Sequence, residues 1–294
     1  MSTVAVIGSA GQLGSDLVAL LRESGRDKVV ALSHRDIEVA NPRSVRSALG
    51  AVRPDILINC AAFVRVDDCE DQPETAFLVN AVGALYVAQA CRESNALCVY
   101  ISTDYVFDGQ KGTSYTEEDC PHPINVYGAS KLAGEHLVRQ ACPRSLVVRT
   151  ASLFGVTGAR GKDGNFIEAI IAKAQRADPI RVVDDIRTSP TYSRDAAAGL
   201  EALLRQETTG VVHLTNSGAC TWYEFARTIL DYAGADATPQ AVSSREYGAR
   251  ARRPADSTLV SARLPPLHIN RLRPWQEALK AYLIETGRAT RKGH

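Results

Sequence analysis

Tyr127 and Lys131 stand four residues apart in the stretch YGASK, a spacing that puts two side chains on one face of a helix. A phenol and an ammonium turned toward a common third group make a candidate acid/base pair. The alternative is a solvated helix on which the two are neighbours by chance, and Y-x-x-x-K alone does not separate these readings. A free phenol ionises near pH 10, so a phenolate useful at neutral pH needs positive charge beside it. Moving its pKa from about 10 to about 7 corresponds to roughly 4 kcal/mol of differential stabilisation. Lys131 is the neighbouring source, so a depressed Tyr127 pKa is expected.

Such a helix needs something to hold it. The runs TVAVI, KVVAL, DILIN, LCVYIS, SLVVRT and VVHLT are short, apolar and β-branched. Between the earlier ones stand QLGSDLVALLRES, PETAFLVNAVGALYVAQACRES, YGASKLAGEHLVRQA and GNFIEAIIAKAQRA, with apolar residues recurring at three and four. Continuous rather than alternating hydrophobicity predicts strands buried on both faces, hence an α/β fold with a Rossmann-type doubly wound parallel sheet. Asn41 and Pro42 read as the cap and first residue of another helix. After about residue 177 the chain is richer in Arg, Pro and loop formers. The expected division is 1–177 for the dinucleotide-binding domain and 178–294 for a smaller C-terminal substrate-binding lobe, with 196–216 returning to the main sheet.

The glycines in VAVIGSAGQLGSDLVALL give this sheet a ligand. Gly8, Gly11 and Gly14 fall between the first strand and the first helix, where glycine permits a tight turn and close approach of backbone to a pyrophosphate. The unpaired N–H groups of the helix start, at Gln12 and Leu13, then face the anion. A glycine turn without ligand is the competing reading. Ser33, His34 and Arg35 stand where the second strand ends, with no carboxylate until Asp36. A missing acid and a nearby Arg35 favour NADPH, with NADH the alternative. Ser102 and Thr103 end the strand LCVYIS at the ligand-binding edge, facing the helix of Tyr127. With a nicotinamide and a ketone there, Tyr127 supplies the proton for ketone reduction, Thr103 hydrogen-bonds the ketone oxygen and Lys131 reaches the nicotinamide ribose. The positive ring of the oxidised coenzyme would join Lys131 in favouring phenolate.

Composition narrows the field further. With 34 Lys plus Arg against 33 Asp plus Glu, the net charge of +1 gives no general drive toward nucleic acid or anionic membrane. The start MSTVAVIGSAG lacks a cationic leader, and no uninterrupted apolar run reaches membrane-spanning length, so a cytoplasmic protein is expected. Seven cysteines, odd in number and never in C-x-x-C, read as reduced. Six histidines without ligand spacing predict no metal site. GVTGARGKDGN fails the P-loop spacing at Gly161–Lys162, and no G-x-S-x-G elbow occurs.

Taken in order, GSAGQLG, DILINCAAFVRVDDCE, YISTDYVFDG, HPINVYGASKLAGE, RTASLFG, GNFIEAI, SPTYSRD and RRPADSTL resemble the dTDP-4-dehydrorhamnose reductase branch of the extended short-chain dehydrogenases over nearly the whole chain. The resemblance implies reduction of the 4-keto group of a nucleotide-linked 6-deoxyhexose by NAD(P)H, in deoxysugar and cell-surface polysaccharide biosynthesis. It implies Thr103, Tyr127 and Lys131 as the catalytic set, Ala61 and Ala62 beside the coenzyme, and Asp36 near the adenine. Val66, Asp104, Tyr105 and Asn165 are implied near the substrate, and Arg253 at its diphosphate. Each has a plainer reading: packing for the CAAF stretch, a helix cap for Asn165, a turn for Asp104. The cluster VDDCEDQPE reads as a solvated helix start. Two departures stand out: Ser152 where family members carry Trp, and Arg194 where an acid is expected in members that bridge a homodimer through magnesium. Two other functions share this framework: a catalytically silent regulatory subunit resembling that of methionine adenosyltransferase, and a nucleotide-sugar epimerase or dehydratase.

Overall fold

In the computed structural model, residues 1–157, 164–270 and 272–289 are described. The segment containing Gly161–Lys162 and the last five residues lie outside them. Six strands form one parallel sheet: β1 (Thr3–Ile7), β2 (Lys28–Leu32), β3 (Ile56–Asn59), β4 (Leu97–Thr103), β5 (Ser145–Thr150) and β6 (Gly210–His213). Their spatial order is β6-β5-β4-β3-β1-β2, so the order in which strands are added reverses between β1 and β3. Open α/β sheets bind ligands at such a switch point. β6 comes from VVHLT and pairs with β5 through Gly210 and Leu146.

Both faces of the sheet are covered, as its apolar strands require. On one side Val4, Val6, Ile58, Val99 and Val148 pack with Leu17 and Leu21 of α1 (Gln12–Ser24) and with Leu200 and Leu203 of Ser193–Arg205. On the other, Ala5, Leu57, Cys98 and Tyr100 pack with α2 (Pro42–Val52), α3 (Ala84–Glu93) and α4 (Val126–Ala141). Asn41 caps α2, its Oδ1 accepting from Arg43 N at 3.0 Å and Ser44 N at 3.3 Å.

The helical pattern over 73–94 departs from a single helix. It runs α-helical at Pro73–Phe77, widens to a π-helix at Leu78–Gly83 and resumes as α3. The stretch Pro73–Glu93 is, by length and composition alone, long and apolar enough to cross a membrane, although Glu74, Asn80, Gln89 and Arg92 interrupt it; 44% of its most apolar window is buried, with Ala84, Val87, Ala88 and Cys91 under the sheet.

A second core gathers Phe154, Tyr192, Phe225, Trp275 and Tyr282 with α5 (Phe166–Gln175) and the helices Trp222–Ala233 and Trp275–Glu285. α5 buries Ile167, Ile170 and Ile171 here, on the near side of the division expected at 177.

Candidate active site

A crevice of about 620 Å³ runs along the carboxyl edge of the sheet, lined by residues from Ser33 after β2 to Thr150 at the end of β5. At its centre Gly8 takes a left-handed φ of +74°, and a Cβ on Gly14 would fall 2.2 Å from the Gly8 carbonyl oxygen. Only glycines let the helix start close on the turn, which leaves the amides of α1 facing the crevice. In the fitting amide orientation, Gln12 donates to Leu153 O at 3.3 Å and accepts from Gly155 N at 3.1 Å, pinning that start to the chain beyond β5. Leu13 lines the crevice. This cradle fits a dinucleotide diphosphate.

The adenosine end differs in detail from expectation. Asp36 Oδ2 accepts from Ser33 N at 2.8 Å and Ser33 Oγ at 2.7 Å, and these bonds hold its carboxyl below the usual range. Ser33 lines the crevice, but Arg35 and Asp36 are exposed and stand outside its wall. His34 and Glu38, paired at 3.3 Å, line it instead, with Ile37 and Val39 beneath. A turn closed by Asp36 N and Ile37 N on Ser33 O, at 3.0 and 3.2 Å, put them there, and the residue types alone gave no sign.

Ala61 and Ala62 lie on the wall, placed by Asn59, whose side chain accepts from Ala61 N at 3.0 Å. Asn80, inside the π-helix, carries more. Its Oδ1 accepts from Phe63 N at 2.8 Å, its Nδ2 donates to Phe63 O at 3.1 Å and Ser130 Oγ at 3.0 Å, and its carbonyl receives the Tyr100 hydroxyl at 2.7 Å. One buried amide thus ties the coenzyme wall to the helix of Tyr127. The widened turn frees its backbone for this, as π-bulges at functional sites do.

α4 is capped by Asn125, whose side chain accepts from Gly128 N at 2.7 Å. A Cβ at Gly128 would come within 2.1 Å of Tyr105 O, so this glycine sets how near the helix lies to the Thr103 loop. Tyr127, Lys131, Thr103 and Ser102 all line the crevice. The rings of Tyr105 and Tyr127 meet edge to face at 6.0 Å.

The electrostatics correct the expectation for the phenol. Burial raises the Tyr127 pKa above its ordinary value, the Thr103 hydroxyl pulling the other way. Lys131 does not depress it, because its Nζ donates to Ile101 O at 2.6 Å, over the Tyr100 ring at 4.0 Å. Burial also pulls the Lys131 pKa down to about 7, opposed by Glu135 and Cys60. Glu135 sits one turn along α4, where it accepts from Ser102 Oγ at 2.5 Å and from Arg149 at 2.9 and 2.7 Å. Arg149 lies 3.4 Å from His213, whose burial depresses its pKa to about 4.

The residues expected at the substrate sit beyond Tyr127. Asp104 is buried, accepting from Thr103 Oγ1 at 3.0 Å and Ser257 Oγ at 2.5 Å, and burial raises its carboxyl to about 6. Tyr105 is raised by burial and touches Arg253. Arg253 donates to Asp67 Oδ2 at 3.0 Å, and Arg250 pairs with Asp71. Two carboxylates of the acidic cluster therefore pair with arginines far along the chain, though both stay largely open to solvent. Val66 begins the short helix that carries them and is half-buried. Asn165 acts as a cap and does not line the crevice: it accepts from Glu168 N at 3.1 Å and donates to Gly155 O at 2.9 Å and Tyr282 Oη at 3.0 Å. Ser152 lines the crevice in a left-handed conformation, φ +42°, its hydroxyl 2.6 Å from Thr188 Oγ1. Arg194 pairs with Glu285 at 3.1 Å. Among the described residues no group of three or more His, Cys, Asp or Glu is placed to hold a metal ion.

A doubly wound sheet with a glycine cradle at its switch point, and a Tyr/Lys pair on the same crevice, defines a pyridine-nucleotide oxidoreductase of the short-chain type. The chain belongs to the family described as RmlD substrate binding domain, whose model matches residues 1–287. It is 39% identical to the spore coat polysaccharide biosynthesis protein SpsK of Bacillus subtilis, over 98% of this chain and 99% of that one. It is 35% identical to the dTDP-4-dehydrorhamnose reductase of Aggregatibacter actinomycetemcomitans, over 95% and 98%. The crystal structure of the Bacillus anthracis dTDP-4-dehydrorhamnose reductase in complex with NADP superposes with a TM-score of 0.91 at 35% identity, covering 97% of this chain and 99% of that one.

Proposed function

We infer that this crevice reduces the 4-keto group of a dTDP-linked 4-keto-6-deoxyhexose with NADPH, in deoxysugar biosynthesis. dTDP-4-dehydrorhamnose or a close analogue is the substrate that fits. The observation that carries the assignment of roles is Tyr127 and Lys131 opening on the same crevice as the glycine cradle. NADPH, when bound, supplies the hydride to the ketone carbon. Gly8, Gly11, Gln12 and Leu13 hold its diphosphate and Ala61 and Ala62 flank it, while Ser33, with Arg35 and Asp36 outside the wall, marks the adenosine end.

A proton donor must be loaded at working pH, and the raised Tyr127 pKa keeps it so. Thr103 holds the oxygen on which charge develops, and Tyr127 hands it the phenolic proton. Lys131, held by Ile101 O, would offer its remaining N–H groups to the coenzyme ribose, and solvent returns the proton to Tyr127. Tyr105, whose ring meets that of Tyr127 and which interacts with Asp104 and Arg253, would with Arg253 receive the sugar nucleotide. Asn165 would reach the substrate only by giving up its cap bonds, and Val66 borders the same mouth.

The test is consumption of NADPH on a panel of dTDP-, CDP- and GDP-linked 4-keto-6-deoxy sugars, by wild type and Tyr127→Phe. Turnover with a dTDP sugar that vanishes in the variant, while NADPH binding survives, is the expected result. Intact NADPH binding with no consumption on any sugar would return the chain to a regulatory binding role.

A further inference from the structure

We propose that Ser257, a second-lobe residue, is a positioning residue for the reaction that acts through Asp104 on the Thr103 hydroxyl. The inference rests on the reading of Thr103 as the group at the ketone oxygen. Thr103 has one proton to donate, and in the structure it goes to Asp104 Oδ1 at 3.0 Å. Its oxygen also accepts from Tyr105 N at 3.2 Å. A ketone oxygen must therefore compete with a buried carboxylate for that proton. Ser257 decides the competition: its hydroxyl donates to the other carboxylate oxygen at 2.5 Å and draws off negative charge that would otherwise hold the threonine. All three side chains are buried, Ser257 at 1%, Asp104 at 2% and Thr103 at 5% exposure, so water does not substitute for a missing link.

The backbone around Ser257 is fixed to the catalytic elements. Asn125, the cap of α4, donates to Arg252 O at 2.8 Å, and Ala251 N donates to Asp67 Oδ1 at 2.9 Å. A Cβ at Gly109 would meet Ala255 N at 2.6 Å, so the loop after Thr103 lies directly against this segment. The hydroxyl of Ser257 is thus presented to Asp104 by the lobe that carries Arg253. The titratable groups facing Asp104 are the phenols of Tyr105 and Tyr127, both protonated at neutral pH, with the Arg253–Asp67 pair behind Tyr105 and Lys131 behind Tyr127. None of them replaces the Ser257 bond.

The test compares single-turnover reduction rates of wild type, Ser257→Ala and Ser257→Thr, with NADPH affinity measured alongside. Without its Ser257 donor Asp104 is a stronger base, and its pKa, which that bond lowers, rises. At pH 8 the alanine variant should be about tenfold slower, with NADPH affinity unchanged, and the threonine variant should recover most of the rate. As pH falls through the raised Asp104 pKa, the protonated carboxyl releases Thr103. The ratio of wild-type to Ser257→Ala rate should therefore shrink toward one near pH 5.5. On an Asp104→Asn background the alanine substitution should cost nothing further. A ratio constant with pH, or a full additional loss on that background, would mean Ser257 only packs, and a ratio of one throughout would overturn the inference. Loss of turnover in Thr103→Val tests the underlying reading separately: if that variant stays active, the role of Thr103 fails, whatever Ser257 does.

Discussion

Replacing Lys131 with methionine should abolish reduction and yet stabilise the fold. Lys131 is 2% exposed, and burial, which lowers its pKa from 10.5 to about 7, sets the order of the cost of holding the charge there. At pH 7 that corresponds to about 5 kcal/mol. Methionine has nearly the same shape but leaves Ile101 O without its 2.6 Å donor, returning about 1–2 kcal/mol. The net gain is about 3 kcal/mol, or about 5 °C in Tm for a chain of this length.

The pH dependence identifies the cause. Between the folded value of about 7 and the unfolded value of 10.5, the unfolded chain binds more protons at Lys131 than the native one. Wild-type stability therefore rises with pH relative to the variant, by up to about 1.4 kcal/mol per pH unit, and the gap should close by about pH 9.5. Below pH 7 it should stay at its maximum. Denaturant unfolding of both proteins at pH 6, 7, 8 and 9 measures this, and their difference cancels the buried cysteines and tyrosines, which titrate in both. A methionine variant less stable at pH 7, or a gap that does not narrow with pH, would refute the account of Lys131 as a charge held at the fold's expense.

Tyr127→Phe should lower kcat at least a hundredfold while leaving NADPH affinity within a few-fold, read by stopped-flow and fluorescence titration. Gly128→Ala should cost about 3 kcal/mol, seen as a lower unfolding midpoint, because its Cβ meets Tyr105 O at 2.1 Å and α4 cannot retreat without moving Tyr127. Glu135→Gln should cost about 3–5 kcal/mol by leaving buried Arg149 uncompensated, and a second change, Arg149→Met, should recover much of it in thermal unfolding. Arg35→Ala should raise the KM for NADPH several-fold and leave that for NADH unchanged if the exposed guanidinium folds onto the 2′-phosphate; equal effects on both would remove Arg35 from the coenzyme site.

Strand runs were legible because burial on both faces writes itself into continuous apolar stretches. All six, VVHLT included, appear in the sheet within a residue or two. The glycine spacing was legible for a similar reason, since close approach at Gly14 admits no other residue. What could not be read is what depends on pairing across long separations. Asn80 looks like an ordinary polar interruption in an apolar helix; only its bonds to Phe63 and Ser130 show why the helix widens. Asp67 and Asp71 look like helix-start acids until Arg253 and Arg250 arrive from nearly two hundred residues away. The Tyr127 pKa was misjudged because spacing on a helix fixes a face but not which acceptor the Lys131 ammonium chooses, and Ile101 O is nearer to hand.

Those long-range pairs share a logic. Asp67 belongs to the connection after β3, Asp104 and Asn125 to the two ends of the connection between β4 and α4, and each is bonded to residues between Ala251 and Ser257. The short segment 251–257 therefore ties together the helix after β3, the end of the threonine strand and the cap of the tyrosine helix. A sugar nucleotide that engages Arg253 must pull on this same segment, and the pull reaches Thr103 through two hydrogen bonds and Tyr127 through the cap of its helix. Thr103, Tyr127 and Lys131 all lie before residue 150, but their surroundings are completed by hydrogen bonds from residues 251–257. Binding energy gained at the nucleotide is thereby available at the ketone, which is where an enzyme needs it.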